Sequence, residues 1–563
     1  MGKYLNPGCM KFQQVLNSEI YIDKTGMISY INTIINTEQR FVCVSRPRRF
    51  GKTIAANMLA AYYGKGESRQ MFADRKIAEY ENWDKYLNHF DVVRVVMTDF
   101  IKEGKDVNES LLNMQKLVVR DIKKQYPDVD YYDTDNLIQS MSDVYEETGN
   151  QFVIIIDEWD AVFRTCKEDK DGQKLYLDFL RDWLKDQENV ALAYMTGILP
   201  IKKYGQHSAL NMFDEYSIIT PMQLAPYTGF TAEEVKTLCD KYNMNYKDIE
   251  SWYDGYAVNT EIPVEMRNKY RMGEYDDVEI SIYSPLSVVK AISTGIIQNY
   301  WNKTETYVAL SEYIKMNLDG LKDSVALLMD GGRVKVNISK YQNDMTSFHG
   351  SNDVLVMLIH LGYLGYDVDN KEVFIPNNEI LDEFKTSTES EEWIDTFKSF
   401  KKSQELLKAT WNCDEEKVAS ILEWFHDFAE NKTYNSEAAL SYAIQMAYYA
   451  GQKFYTTIQE LDSGKGAGCP VDIRLARTGA GAENIVDLVY LPSPKNADKP
   501  ALLIELKYNK SVDTAANQIR NKEYMQKLEH YKGNILLVSV NYDKEADVNS
   551  SEYKHHTCMI EKL

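Results

Sequence analysis

Three groups of residues in this chain have types and spacings suited to chemistry on phosphates. The first is the octapeptide Arg46-Pro-Arg-Arg-Phe-Gly-Lys-Thr53, which follows the apolar run Phe41-Val-Cys-Val44 and precedes Ile54-Ala-Ala-Asn-Met-Leu-Ala-Ala61. A strand that turns tightly into a helix aims backbone N–H groups and the positive helix end at an anion. There Lys52 would neutralise β- and γ-phosphate oxygens, and the Thr53 hydroxyl would sit on Mg2+. Arg48, Arg49 and Gly51 complete the candidate cradle. The usual pattern carries a glycine where this chain has Arg46, so the loop is a variant that needs corroboration elsewhere.

The second group supplies it. Phe152-Val-Ile-Ile-Ile-Asp-Glu-Trp-Asp160 is an apolar strand ending in carboxylates, and a buried parallel strand delivers its C-terminal end to the crevice where ligands bind. Asp157 would hold the Mg2+ hydration shell and Glu158 would orient an attacking water. A third strand, Val190 to Met195, ends in Thr196-Gly197, where Thr196 is placed either to touch the γ-phosphate or simply to end the strand. The plainer alternative makes Gly51-Lys52 a helix cap and Asp157-Glu158 the start of the next helix. The strand–turn–helix context disfavours it.

The third group lies in Ile485-Val-Asp-Leu-Val-Tyr-Leu-Pro492 and Ala501-Leu-Leu-Ile-Glu-Leu-Lys-Tyr508. Alternate residues of a strand share a face, so Glu505 and Lys507 project together. Burying such a pair is costly without partners or a metal, and Asp487 on a neighbouring strand can be that partner. Two carboxylates and a lysine around Mg2+ suit phosphodiester hydrolysis, in which the metal acidifies a water. The competing explanation is an edge strand that displays charge for solubility.

Behind these groups stand the elements that must position them. Residues 1–210 alternate apolar runs (Phe41 to Val44, Val92 to Thr98, Phe152 to Ile156, Val190 to Met195) with helical stretches, which predicts a mainly parallel sheet. Residues 211–385 read as helices with short Gly- and Asn-rich breaks, then a helix at Leu355 to Leu364 leading to a small hairpin near Glu372 to Pro376. A charged linker follows. Residues 395–563 place helices first and strands at Ile485 to Leu491, Ala501 to Tyr508 and Asn534 to Val540.

The 563 residues imply several cores, and a net charge of −21 argues against broad nucleic-acid binding by the whole surface while allowing a local basic groove. No apolar run approaches the roughly 20 residues that span a bilayer. The N-terminus lacks a signal-like apolar region. Seven scattered cysteines read as reduced thiols, so a cytoplasmic location is expected. The eight histidines contain no HExxH pair, and His555-His556 beside Cys558 reads as a solvated tail, not a zinc site.

Four segments carry a resemblance: Tyr21-Ile-Asp-Lys24, Ser45 to Thr53, Ile156-Asp-Glu-Trp-Asp160 and Tyr253-Asp-Gly-Tyr256. With them the chain resembles, over essentially its whole length, the bacterial AAA-ATPase-like proteins that carry a C-terminal PD-(D/E)XK nuclease-like domain. In that family the Arg-Pro-Arg-Arg-Phe-Gly-Lys loop is the usual form. The resemblance implies an α/β fold in three parts: a P-loop ATPase domain with a parallel sheet (1–210), a helical and winged-helix-like middle (211–385) and a nuclease-like α/β domain (395–563). It implies ATP and Mg2+ as cofactors, with binding implied more strongly than hydrolysis. Asp487, Glu505 and Lys507 match the family's Asp…Glu-x-Lys arrangement. Glu437 resembles the further metal-binding acid on the first helix, and Gln518 a helix residue facing the site. The family usually runs from a Gly-Lys-Gly segment directly into its Asp strand, so Asp472, after Gly464-Lys-Gly466, remains an alternative to Asp487.

The expected function is therefore an ATP-binding protein coupled to a Mg-dependent nuclease acting on DNA or RNA through its C-terminal part, with no membrane partner and a homo-oligomer admitted. The alternative is a nucleotide-sensing scaffold whose tail binds nucleic acid or a partner without cutting.

Overall fold

The computed structural model describes residues 2–201, 210–259, 279–301, 306–316, 318, 320–340, 348–390, 393–428, 437–459, 488–509, 533–544 and 555–563. The chain divides into two compact units, Met1–Asp319 with Lys335–Ser387, and Gly320–Val334 with Thr388–Leu563.

In the first unit, β1 (Phe41–Ser45), β2 (Asp91–Val96), β3 (Phe152–Asp157), β4 (Val190–Gly197) and β5 (Asp214–Tyr216) form a sheet of order β2-β3-β4-β1-β5. Every pairing in it is parallel. β1, β3 and β4 are buried along their whole length. That explains their unbroken apolar runs, because a parallel sheet is covered on both faces. The run expected to continue to Thr98 stops being a strand at Val96, and Met97–Asp99 is a 3-10 turn.

The helix Lys52–Tyr63 follows β1 directly. Ala55, Ala56, Ala60 and Ala61 are strong helix formers, and their small side chains let the helix lie close on the sheet, in one core with Val42, Val44, Ile155 and Leu192. The helix stops at Gly64, where a Cβ would come 2.7 Å from the Ala60 carbonyl oxygen.

Of the expected middle region, Gly320–Val334 belongs to the second unit, whereas residues up to Asp319 and from Lys335 on belong to the first. Among them β6 (Phe230–Thr231), β7 (Tyr256–Asn259) and β8 (Glu279–Tyr283) pair antiparallel in the order β6-β8-β7. After β9 (Val334–Lys335), the helix Ser351–Leu361 leads to the hairpin of β10 (Gly365–Asp367) and β11 (Glu372–Phe374), as the sequence suggests.

This region also contains a buried acid. Glu379, 1% exposed, accepts the Tyr300 N–H at 2.8 Å and the Ser287 hydroxyl at 2.8 Å. Burial pushes its carboxyl up to about 7. Between its ordinary value and about 7, the folded chain keeps a proton that the unfolded chain has released, so stability falls as pH rises through that window. The full effect is on the order of 3 kcal/mol. Glu379→Gln is expected to flatten this part of the pH dependence, read as a smaller drop in melting temperature between pH 5 and 8 than the parent shows.

In the second unit, β12 (Tyr455–Gln459), β13 (Leu488–Pro492), β14 (Ala501–Tyr508), β15 (Ile535–Tyr542) and β16 (His556–Lys562) lie in that order, with β14 and β15 parallel and the other pairs antiparallel. Helices Ile394–Trp411, Glu415–Phe428 and Glu437–Ala447 contribute Leu406, Leu422 and Ile444 to one core with Leu502, Ile504 and Leu506. Leu503 and Leu537 form a separate cluster on the opposite face. One expectation is overturned here. His555 and His556 are not a solvated tail: His556 is fully buried and both accept or donate at Glu423.

Candidate functional site

Because the first sheet is parallel, the C-terminal ends of the adjacent strands β3, β4 and β1 open on one side, where ligands bind in such folds. A cavity of about 1780 Å³ lies in the first unit, with Arg48, Gly51, Lys52, Thr53 and Glu158 in its wall. Its lining also includes the apolar side chains of Ile20, Ile22 and Phe230. The start of the helix Lys52–Tyr63 thus lies on this open cavity with Lys52 and Thr53 in its first turn.

Gly51 has φ +83°, a left-handed turn that a glycine makes without Cβ strain. The rest of the loop is held by its side chains. The buried Arg46 guanidinium donates to the Thr228 hydroxyl at 2.8 Å and to the Ser217 carbonyl, and burial pushes it down to about 9. Pro47 lies against Gly362, where an added Cβ would be 2.7 Å from it. Arg49 donates to the Tyr300 carbonyl at 2.9 Å. Phe50 packs edge-on against Tyr256, centroids 5.3 Å apart. Four side chains of this loop, which has a single glycine, are thus held by distant segments of the same unit.

The resemblance motifs find physical roles in that anchoring. Lys24 forms an ion pair with Glu234 at 2.5 Å and donates to the Pro226 carbonyl at 2.6 Å. Glu234 closes a capping box with Thr231 at the start of the helix Ala232–Tyr242. In Tyr253-Asp-Gly-Tyr256, Gly255 has φ +106° and a Cβ there would sit 2.1 Å from the Pro376 carbonyl oxygen. Gly255→Ala is expected to cost more than about 2 kcal/mol through strain and overlap. Its lower melting temperature should come with weaker nucleotide binding, since Tyr256 backs Phe50.

Lys52 turns inward, donating to the carbonyls of Arg46 at 2.9 Å and Pro47 at 2.7 Å. Burial pulls its ammonium down to about 8, against the opposing pull of Asp160, Asp157 and Glu158. Glu158, with φ +54°, is a non-glycine residue in the left-handed region directly after β3. Its side chain is 39% exposed and pairs with Arg164 at 2.8 Å. Arg164, also on the cavity wall, is held in turn by Asp160 at 3.3 Å. Asp160 accepts the N–H groups of Ile198 and Leu199, both at 2.9 Å.

Asp157 and Thr196 are placed differently. Asp157 is 1% exposed, accepts the Thr196 hydroxyl at 2.5 Å and meets Arg94 at 3.4 Å. Neither Asp157 nor Thr196 lines the cavity wall, so the Thr196 hydroxyl serves Asp157 in this arrangement. Arg94, Asp160 and Arg164 were not singled out from the sequence. Two signals were there: a lone cation in Val92-Val-Arg-Val-Val96, whose burial demands a partner, and the four-residue spacing of Asp160 and Arg164.

In the second unit, Glu505 and Lys507 are 4% and 7% exposed and form an ion pair at 2.7 Å. β14 is the central strand of its sheet, so the edge-strand explanation of these charges does not apply. Ser539 and Asn541 pair with Glu505 and Lys507 in register on β15 and are also buried, which gives a polar patch at the C-terminal ends of two parallel strands. Glu437 is the first residue of its helix. Asp472, Asp487 and Gln518 lie outside the described residues.

Comparison with known proteins adds three findings. The structure of the Aeropyrum pernix ORC2 protein (ADPNP-ADP complexes) aligns over 66% of this chain and 96% of its own, at 12% identity and a TM-score of 0.29. A likeness that slight carries no argument. An uncharacterized protein in the vnfD 5′ region of Azotobacter chroococcum mcd 1 is 22% identical over 321 residues, 54% of each chain, so the chain spans about half the length of this curated relative. Residues 7–206 match the AAA-ATPase-like family, described as predicted AAA-ATPases. With the parallel five-stranded sheet and the loop that follows its strand β1, that match supports an AAA-type, nucleotide-binding ATPase domain at the front of the chain.

Proposed function

We propose that the first unit binds and hydrolyses ATP and that the second is a Mg-dependent, PD-(D/E)XK-like nuclease whose action the nucleotide gates. The observation that carries the first part is the convergence of Lys52, Thr53, Glu158 and Arg164 on one cavity at the end of a parallel sheet. Lys52 releases its loop carbonyls and takes phosphate oxygens instead. Thr53, on the cavity wall, would hold Mg2+, with Asp157 joining it once it exchanges the Thr196 hydroxyl for the ion, and the ion would neutralise phosphate charge. Glu158 accepts a proton from the attacking water, and Arg164 holds its carboxylate in place. The base of the nucleotide fits the apolar side chains of Ile20, Ile22 and Phe230.

The buried Glu505–Lys507 pair supports the second part, since a charged pair in a central strand costs folding energy unless it serves a site. Glu505, with Asp487 and Glu437, would hold Mg2+, which would acidify a water for attack on a phosphodiester. Lys507 orients that water or stabilises the charge that develops.

The test measures ATP binding, ATP hydrolysis and cleavage of single- and double-stranded DNA and RNA by the full chain. Lys52→Ala is expected to weaken ATP binding at least about tenfold, by loss of a charge-assisted contact, and to remove the effect of ATP on cleavage. Unchanged ATP binding in Lys52→Ala would reject the nucleotide site. Absence of cleavage with every metal would leave the second unit as a binding module.

A further inference from the structure

We propose that Glu423, His426 and His555, in the second unit, form a binding site for a divalent transition-metal ion, with Zn2+ the best suited. Ligand atoms of these three side chains all lie within 4.8 Å of one another. Zn–N and Zn–O bonds of about 2.0–2.2 Å place neighbouring ligand atoms about 3.3 Å apart, so side-chain adjustments alone would close the site.

Glu423-Trp-Phe-His426 sets the acid and the imidazole three residues apart on the helix Glu415–Phe428, hence on one face. His555 arrives from the other end of the unit, immediately before β16. Its Nδ1 lies 2.7 Å from Glu423 Oε1. Its ring stacks on Tyr542 with centroids 5.4 Å apart and lies 4.9 Å from the His426 ring. The other Glu423 oxygen meets His556 twice, at Nδ1 (2.9 Å) and at the backbone N–H (3.1 Å). His556 therefore fixes the carboxylate and leaves Oε1 directed at His555. A partner that orients a ligand in this way is a regular part of metal sites.

The cluster is shielded: His426 is 4% exposed, His555 14% and Glu423 18%. Three of the eight histidines in the chain meet here. A cation held by His426, His555 and Glu423 would be ligated by two of these imidazoles and the carboxylate, while His556 orients the carboxylate. Two imidazoles and a carboxylate, without a thiolate, select Zn2+ and its first-row neighbours over Mg2+ or Ca2+. The ion would clasp the last strand to the helix, and three protein ligands leave a position for water.

The test uses tag-free full-length protein stripped with a chelator and titrated with Zn2+ by calorimetry and with Co2+ by visible ligand-field absorption. One tight equivalent is expected, with the bands of nitrogen and oxygen ligation and a higher melting temperature. His426→Gln and His555→Gln should each weaken binding by about a hundredfold or more, and His556→Gln by about ten- to a hundredfold, because it acts only through Glu423. His89→Gln, an exposed histidine of the first unit, should change nothing. A tight equivalent that persists in the His426→Gln/His555→Gln double variant overturns the site. Should that variant fail to fold, the parent decides alone: no ligand-field bands with Co2+ also overturn it.

Discussion

Replacing Glu158 by Gln is expected to leave ATP binding in place and to slow hydrolysis by about a hundred- to ten-thousandfold, the range for losing a positioned general base. The geometry behind this is specific. Glu158 leaves β3 in a left-handed conformation, reaches the cavity and is held at 2.8 Å by Arg164. Gln keeps the size and the hydrogen bond to Arg164 but cannot accept a proton from water. Loss of turnover with retained affinity is therefore the pattern sought, measured as single-turnover hydrolysis beside equilibrium binding. Hydrolysis at the parent rate would show that another group activates the water. Lys52→Ala should give the opposite pattern, with the loss appearing first in binding.

The second large effect is expected at β14. Glu505→Gln should reduce Mg-dependent cleavage of nucleic acid by more than about a thousandfold if its carboxylate holds the metal. Lys507 complicates a simple comparison, because the substitution removes the carboxylate that its buried ammonium now meets at 2.7 Å. Breaking a buried pair from one side destabilises strongly, whereas replacing both partners often does not. Glu505→Gln/Lys507→Met should accordingly melt closer to the parent than Glu505→Gln alone while remaining without cleavage. A double variant that recovers stability and cuts at the parent rate would remove this pair from the reaction.

Much of the first unit was legible in the sequence because its signals are local. Phe152-Val-Ile-Ile-Ile156 reads as a buried strand within a handful of residues, and the strand–turn–helix around Gly51 needs only its own neighbours. The polar patch on β14 was visible as alternation in Ile504-Glu-Leu-Lys507, but alternation alone does not distinguish a central strand from an edge. The sheet order does, and it comes from pairing with β13 and β15, not from β14 itself. The histidines at 555 and 556 looked like a tail for the same reason: Glu423 and His426, which meet them, are more than a hundred positions away.

What the sequence by itself determined was the main buried strands, among them Phe41–Ser45, Phe152–Asp157 and Ala501–Tyr508, and the strand–turn–helix around Gly51, since periodicity and turn chemistry act over one or two turns of chain. Only the tertiary structure decided how a loop with a single glycine stays in shape. Arg46, Pro47, Arg49 and Phe50 are anchored at Thr228, Gly362, Tyr300 and Tyr256. It also decided that Asp157 is enclosed by Thr196 and Arg94 while Glu158 faces the cavity beside Arg164. The physical reason is that each such contact joins side chains whose proximity depends on how whole elements pack, and packing is a property of the assembled core.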